Sequence, residues 1–545
     1  MERAVHAHRS SRKLGSGMEM IRVFHLIQQL SLGGASRSAI ALAKYSTKWG
    51  NFSHCIGSIL PAEPAALKLA EDSGVTSLPK PDAGSIRHQM ESADIVHVHF
   101  WNSPEIYHVF RSDLPPMRLL LWNHVAGDKL PQVLTSDLID FADHLLVSSP
   151  YSMELAALHA LPEDVRNRKT GIVYDTADFE RLQNVRRKTH SGFNVGYIGT
   201  VDFVKMHPDF VRMCVSIEVP RIRFIVCGPG KAQRTLAAQA REVGAAQKFE
   251  FRGYEENVGS ILETLDVFGY PLCPDNYSTA ELALQEAMFC GVPPVIFAHG
   301  GAQKTVTHGQ TGFVVKSERE YKSAIEYLFY NPHERSRLSG NCMEYARRVF
   351  GAENVSHTLN LVYTRLMGLP KRRRRFPLPH LEASTEVMHP SSAKGMLSSE
   401  PSGAKMFIQS LGDMGSQFVA SLTSRDINEL FEAEHEIAVS SPVLFNPSGG
   451  GIFHYRSFYL RDGHLRLWSG LVLAQHGRNA LAVAEFRAAI QHGMNHWRVF
   501  WYMALAAERA GATELALEAA EKVANIVPEF SEASSMVKRI RARSP

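Results

Sequence analysis

Apolar residues along this chain come in short runs, each followed by a longer stretch of helical period. Arg22–Ile27, Asp94–Asn102, Leu119–His124 and His144–Ser149 read as strands, and Phe193–Gly199, Arg223–Cys227, Phe249–Tyr254, Leu265–Tyr270 and Pro294–Ala298 repeat the design further on. Strands alternating with helical segments imply parallel sheets wound on both faces, whose ligands bind beyond the carboxyl ends of the strands. Two such α/β units are expected, over 21–178 and 192–350, joined by a polar, basic linker at about 183–191. Helices are expected from the turn Leu32–Ser36 through Lys48, over about 318–330 and 333–349, and over Val355–Met367, which should pack back across the first unit.

The strand ends carry the candidate chemistry. Gly33-Gly34 lies between strand and helix, where backbone N–H groups and a helix N-terminus can face an anion. His99, Asn102 and His124 sit at the carboxyl edge of the first sheet. Each alone reads as a satisfied structural side chain; together they suggest a wall that contacts an acceptor or a sugar. In the second unit Gly199 is followed by Lys205, an ammonium able to neutralise a diphosphate, or else a solvated loop lysine. Gly228 opens the next turn.

Ser278-Thr-Ala-Glu281 has the spacing of a capping box at the start of a helix that carries Leu282, Leu284, Ala287, Met288 and Phe289 around most of its circumference. Gly291 and Pro293-Pro294 stop that helix, and Gly300-Gly301 lets the backbone approach something beyond the strand that comes next. Glu286 is the anomaly, because a buried carboxylate needs a partner or a ligand. It reads either as the acceptor for two ribose hydroxyls or as the partner of a nearby cation.

This stretch resembles the donor site of the retaining glycosyltransferases of family four, in which two Glu eight positions apart flank a helix that ends in a Gly-x-Pro turn and a following Gly-Gly. Glu286 falls on the second Glu, and Ser278 stands where the first would be. Glu281 is either its substitute or only a cap. The resemblance covers about 21–367 and implies two Rossmann-like domains facing across a cleft (the GT-B arrangement), an acceptor domain at 21–178 and a donor domain at 192–350, with a crossover helix at 351–368. It places His124 near the transferred sugar, Lys205 on the diphosphate, and Gly33, Gly34, Gly199, Gly228, Tyr254, Ser278, Thr279 and Glu286 around the donor. Catalytic roles then fall to His124, Lys205 and Glu281, with His99 and Asn102 on the acceptor side. The Arg that usually follows the first glycine of the donor domain is Thr200 here, so one phosphate clamp is either lost or supplied from elsewhere. No cofactor is implied, since the nucleotide diphosphate sugar is the substrate, and no metal ligand spacing stands out.

Composition narrows the partners. Of 545 residues 45% are hydrophobic and 21% charged, and a net charge of +4 with no aromatic-interleaved basic patch disfavours nucleic acid. Six cysteines (Cys55, Cys214, Cys227, Cys273, Cys290 and Cys342) lack metal spacing and suit a reducing compartment. The start lacks the apolar centre of a signal peptide, so residues 1–20 read as a disordered tail and the location as cytoplasmic, with peripheral contact at the inner face of the membrane an option.

Residues 369–423 read as a Ser/Gly/Pro-rich linker that opens with the basic run Lys371–Arg375, either a solvated hinge or a contact for anionic headgroups. From 463 on the period changes. Gly470, Gly477, Ala482, Phe486 and Ala489 are followed 34 residues later by Ala504, Gly511, Ala516, Ala520 and Val523, the spacing of tetratricopeptide helix pairs. A small all-α region at 424–545 is expected, capped by helices near 425–439 and 531–543, and serving either as a groove for a protein partner or as a packing appendage. The expected activity is transfer of a sugar to a saccharide or lipid-linked acceptor with retention, in cell-surface polysaccharide or glycoconjugate synthesis. The rivals are a catalytically decayed scaffold working through its repeats, and a nucleotide-sugar epimerase or hydrolase.

Overall fold

The computed structural model describes residues 20–176, 178–379 and 402–543. The first domain is built on strands β1 (Ile21–Ile27), β2 (Phe52–Ser58), β3 (Thr76–Leu78), β4 (Ile95–Phe100) and β5 (Leu119–Asn123), a small hairpin β6 (Asp128–Lys129) and β7 (Gln132–Val133), then β8 (His144–Val147) and β9 (Thr170–Ile172). Apart from the hairpin these form one parallel sheet in the order β3-β2-β1-β4-β5-β8-β9. The second domain uses β10 (Phe193–Ile198), β11 (Ile222–Cys227), β12 (Phe249–Gly253), β13 (Val267–Tyr270), β14 (Pro294–Phe297) and β15 (Phe313–Val315) in the order β12-β11-β10-β13-β14-β15. Both sheets reverse direction beside their first strand, the switch point where doubly wound folds place their ligands.

The helix Ala352–Met367 leaves the second domain and returns to the first. Val355, Leu359, Val362, Tyr363 and Leu366 bury against Val23, Phe52, Leu120 and Trp122, as the sequence led us to expect.

Beyond this helix the chain departs from the expected linker. The basic run does not hang free: Arg374 pairs with Asp143 at 2.6 Å, Arg372 with the same carboxylate at 3.1 Å, and Lys371 donates to the Ala93 carbonyl at 2.5 Å. Phe376 is buried next to Tyr107, Phe110 and Phe141. Helical structure resumes at Gly403–Leu411 and Ser416–Thr423, some twenty residues before the expected start of the all-α region. The Ser/Gly content of those segments had masked an amphipathic pattern that buries Ala404, Met406, Phe407, Leu411 and Phe418. Residues 1–19, most of the expected tail, and 380–401 of the expected linker lie outside the described residues.

The helical region then runs through Ile427–Val439, Ile452–Phe458 and two helix pairs, Gly463–Gln475 with Asn479–Gln491 and Trp497–Arg509 with Thr513–Ile526, closed by Ser531–Arg541. The small residues act as expected. A Cβ on Gly470 would come within 2.5 Å of the Phe486 ring, so the paired helices approach closely only because that side chain is missing.

This region is not a separate body. Its apolar residues, from Ala404 to Ile540, belong to the same hydrophobic cluster as Phe24, Val98, Phe100, Tyr107 and Phe110 of the first domain. Polar contacts fix the join: Asn102 donates to the Pro131 carbonyl (2.7 Å) and to Ser410 Oγ (3.0 Å) and accepts from Tyr455 OH (2.8 Å). His454 meets Glu105 at 3.1 Å, and Gln132 donates to the Gly449 carbonyl at 2.7 Å. Gly450, at φ 76°, lets the turn pass over Asn102, whose carbonyl would lie 2.5 Å from any Cβ there.

Candidate functional site

The two domains meet where the carboxyl ends of their sheets face one another. Ala126 N–H donates to the Tyr277 carbonyl at 2.9 Å, Thr279 Oγ1 to the His124 carbonyl at 3.2 Å, and Gln285 Nε2 to the Asp175 carbonyl at 2.6 Å. Gly33 and Gly34 are exposed at the start of the helix Gly34–Trp49, and Gly34 faces Leu282 at the start of the helix Leu282–Phe289.

That second helix begins later than the capping box predicts. Ser278 and Thr279 belong to an irregular segment after β13, and Glu281 flanks the first turn without capping it. The reason is a stronger demand on the carboxylate. Glu281 Oε2 meets Lys205 Nζ at 2.6 Å and accepts from Tyr270 OH at 2.7 Å. Burial pushes the pKa of Glu281 up, but the Lys205 ammonium and the Tyr270 hydroxyl outweigh it and hold the group below the ordinary carboxylate value. The structure therefore brings Lys205 and Glu281 into one ion pair, with Gly199 packed on the Tyr270 hydroxyl.

Glu286 is also buried and also paired. Arg37, one turn into the Gly34–Trp49 helix, and Arg181, in the segment between the domains, each place a guanidinium nitrogen 2.5 Å from its Oε1. Burial is again overcome by the cations, and the carboxyl stays below its usual value. The ion-pair reading thus describes this structure: Arg37 reaches across from the first domain, and Arg181 comes from the segment Phe179–Leu182, which packs on the second domain's core beside Phe289. Neither arginine was a sequence-based candidate. Each lies far from Glu286 along the chain; the domain arrangement brings in Arg37, and the packing of Phe179 on Phe289 brings in Arg181.

Several expected roles change. His99 and Asn102 are completely buried, so neither can line an acceptor surface: Asn102 anchors the C-terminal helices, and His99 bonds to two other imidazoles. The Gly199 and Gly228 N–H groups donate to the Cys227 and Gly253 carbonyls, so neither is open to a phosphate. Gly228 serves close packing instead, since a Cβ there would collide with the Gly199 carbonyl. Tyr254 is exposed just past β12.

His124 has both ring nitrogens engaged, Nδ1 with Asp175 at 2.6 Å and Nε2 with His99 Nδ1 at 2.8 Å. Beyond it lies a cluster that spacing along the chain did not show. His25 pairs in register with His97 across β1 and β4, and His25, His97 and His99 draw together in the sheet's interior. His25 and His99 bond to each other at 2.9 Å, the geometry of a hydrogen-bonded chain. A second group, His207, Asp209 and Glu318, has Arg212 paired to both of its carboxylates. All six cysteines are free thiols, and burial lifts each of them above the usual thiol value, as in inert structural cysteines.

Two Rossmann-like domains facing across a cleft, the strand order of both sheets and a helix crossing back from the second domain to the first define the GT-B fold of glycosyltransferases. Residues 162–348 match the family model of the glycosyl transferases group 1. Among curated proteins, the D-inositol 3-phosphate glycosyltransferase of Stackebrandtia nassauensis is 22% identical over 293 residues, covering 47% of this chain and 64% of its own. That of Mycobacterium marinum is 24% identical over 311 residues, covering 52% and 65%. The chain thus spans a little under two thirds of the length of these relatives. Among solved structures, HepE of Anabaena in complex with UDP and glucose superposes with a TM-score of 0.53 at 17% identity, over 63% of this chain and 99% of that one. Sucrose-phosphate synthase from Thermosynechococcus elongatus gives 0.50 at 15%, over 64% and 99%. These likenesses cover the two α/β domains and establish the fold. Among the described residues no helix is long and apolar enough to cross a membrane.

Proposed function

We propose that the protein transfers a sugar from a nucleotide diphosphate donor to a saccharide or lipid-linked acceptor, with retention and without a metal, in the synthesis of a cell-surface polysaccharide or glycoconjugate. The observation that carries this reading is the Lys205–Glu281 pair, set in the donor-side domain near the join with the first domain. As the donor's glycosidic bond breaks, negative charge develops on the leaving diphosphate. A preorganised ammonium and the N-terminus of the helix that starts at Gly34 answer it without reorganising at the moment of reaction. Glu281 holds the ammonium in place, and Glu286, at the edge of the same cleft, is the acceptor for the ribose hydroxyls once Arg37 and Arg181 yield. A UDP-sugar is the first donor to test, because the Anabaena neighbour is described with UDP and glucose. The relatives that act on inositol phosphate make a phosphorylated polyol one acceptor to include.

The C-terminal helices favour a packing role over a partner groove, since they bury their apolar face in the first domain. A thermal-shift panel of nucleoside diphosphates and their sugars, followed by turnover with and without EDTA, tests the proposal. Stabilisation by one nucleotide and product formation that survives EDTA are expected. Donor cleavage without acceptor transfer would indicate a hydrolase, and activity abolished by EDTA and restored by a divalent ion would overturn the metal-independent chemistry.

A further inference from the structure

A cavity of about 460 Å³ opens at the amino edge of the first sheet, the end opposite the cleft. Arg168 and Lys169, just before β9, line it together with Arg365, in the last turn of the helix Ala352–Met367, and Arg372, Arg373 and Arg374, from the segment that follows. That segment has a fixed course. Arg372 exchanges backbone hydrogen bonds with Met117, both at 3.0 Å, two residues ahead of β5, so the cations around the cavity are held in place rather than carried on a free hinge.

The charges do not balance. Two carboxylates line the cavity, and both are taken: Asp143 is shared by Arg374 and Arg372 and accepts from the Leu119 N–H at 2.8 Å, while Asp140 meets Lys169 at 3.6 Å. Beyond the lining, Arg373 reaches Asp113 at 3.2 Å and Arg168 reaches Asp164 at 3.6 Å, pairs between exposed side chains that hold little energy. Arg365 is exposed and forms no ion pair among the described residues. His144, taken down to about 4 by burial, adds no charge. Burial also pushes the Lys169 ammonium below its usual value, and the nearby Arg372 adds to this, although Asp140 and Asp143 oppose it. Val165, Val362, Leu366 and Leu369 make the rest of the lining apolar. Charge of one sign over low-dielectric walls focuses the field into the opening.

We propose that this cavity is a binding site for a phosphate-bearing anion, held among Arg168, Arg365 and Arg373 with Lys169 as a fourth cation. A carboxylate is satisfied by two arginines, as Asp143 shows. Four further cations call for an anion with more oxygens and more charge, and the guanidinium fork matches the oxygens of phosphate. Nucleic acid is a poor fit, because the two rings of the lining, Phe141 and His144, are buried and present no face on which a base can stack. Two sources present the required group: a soluble diphosphate or phosphate ester, and the headgroup of an anionic phospholipid. The site lies at the far end of the strands from Lys205 and does not depend on the transfer reading.

The test uses the full chain and two probes. Inorganic pyrophosphate, followed by calorimetry, stands for the soluble source, and vesicles of phosphatidylglycerol in phosphatidylcholine, followed by flotation, stand for the lipid. Arg168→Glu/Arg365→Glu reverses two cations that pair with no buried carboxylate, so the fold should be kept while the probe binds at least about tenfold more weakly. Arg373→Glu makes the same cut from the following segment and serves if the double variant does not fold. Arg478→Glu/Arg487→Glu, at two exposed cations of the C-terminal helices, changes the net charge equally and should leave binding within about twofold. Weakening with pyrophosphate alone identifies a soluble anion, and weakening with vesicles identifies the headgroup. The proposal is overturned if neither probe binds the wild-type chain, if reversing the cavity's cations leaves the binding of both unchanged, or if the control variant weakens it as much.

Discussion

Asn102 offers the sharpest division between two readings of one residue. As part of an acceptor wall its loss would weaken acceptor binding and leave the fold alone; as the anchor of the C-terminal helices its loss is structural. Asn102→Ala removes the partner of Tyr455 OH, of Ser410 Oγ and of the Pro131 carbonyl, all in a place closed to solvent. A buried group left without its hydrogen bond costs about 1–3 kcal/mol. Ser410 keeps a bond to the Phe407 carbonyl, so the three losses do not add in full. With the small cavity included, roughly 3–5 kcal/mol is expected, a large share of the ~5–15 kcal/mol that holds most proteins folded. At about 2–4 °C per kcal/mol the melting temperature should fall by roughly 6–20 °C. Tyr455→Phe, which strands only Asn102 Oδ1, should cost about 1–3 kcal/mol. Thermal unfolding and limited proteolysis of the full chain measure both. A melting temperature within about 2 °C of wild type for Asn102→Ala, together with a raised KM for acceptor, would refute the anchor and restore the wall.

Removing everything after Gly368 should give an insoluble or partly unfolded chain, because it strips away Phe376 and the helices that share the first domain's hydrophobic cluster; a soluble, nucleotide-binding fragment would contradict the shared core. Glu286→Ala should lower donor affinity at least tenfold, two charge-assisted hydrogen bonds being worth roughly 1.5–3 kcal/mol each, and unchanged affinity by calorimetry would remove Glu286 from the site. Glu281→Gln leaves Lys205 without its counter-charge and should depress turnover while costing about 1–3 kcal/mol; full activity would return Glu281 to a purely structural role. Stability should fall with acid. Burial lowers His54 to about 3 and His144 to about 4, so each stays neutral in the folded chain while the unfolded chain takes up a proton below about 6.5. Their contribution is complete above that pH and is lost as pH falls toward the folded values, about 2 kcal/mol for each at pH 5. Equal urea midpoints at pH 8 and pH 5 would show that these rings are not buried as described.

The strand–helix alternation made both α/β domains legible, because strands buried on two faces leave uninterrupted apolar runs. The missed strands are those that break this rule: β2 interleaves Ser53, His54 and Cys55, and β3 and β9 are too short to carry a pattern. Lys205, Glu281 and Glu286 were found because each is a charge in an apolar or Gly-rich setting. What each one touches was not, because Arg37 reaches Glu286 only through the packing of two domains and Arg181 only through the docking of the segment Phe179–Leu182 on the second. The imidazole chain was half visible. His97 and His99, two apart on one strand, must share a face, but that β1 sets His25 beside them and β2 sets His54 beside His25 depends on the sheet order. Asn102 was misjudged because a strand end at a cleft and a strand end under a covering helix look the same along the chain.

The shared core also has a consequence for how the protein is made. Phe24 leaves the ribosome long before Phe376 and the helices that follow it, yet all of them contribute to one hydrophobic cluster. At about 5–20 residues per second, roughly a quarter of a minute to a little over a minute passes before Phe376 and the helices Gly403–Leu411 and Ile452–Phe458 emerge, and during that interval the face around Tyr107 and Phe110 lacks the side chains that cover it. The first domain must therefore wait, open and adhesive, for these segments. A chain broken off before them would carry its unfinished interior as a visible flaw, one that proteases and chaperones can read.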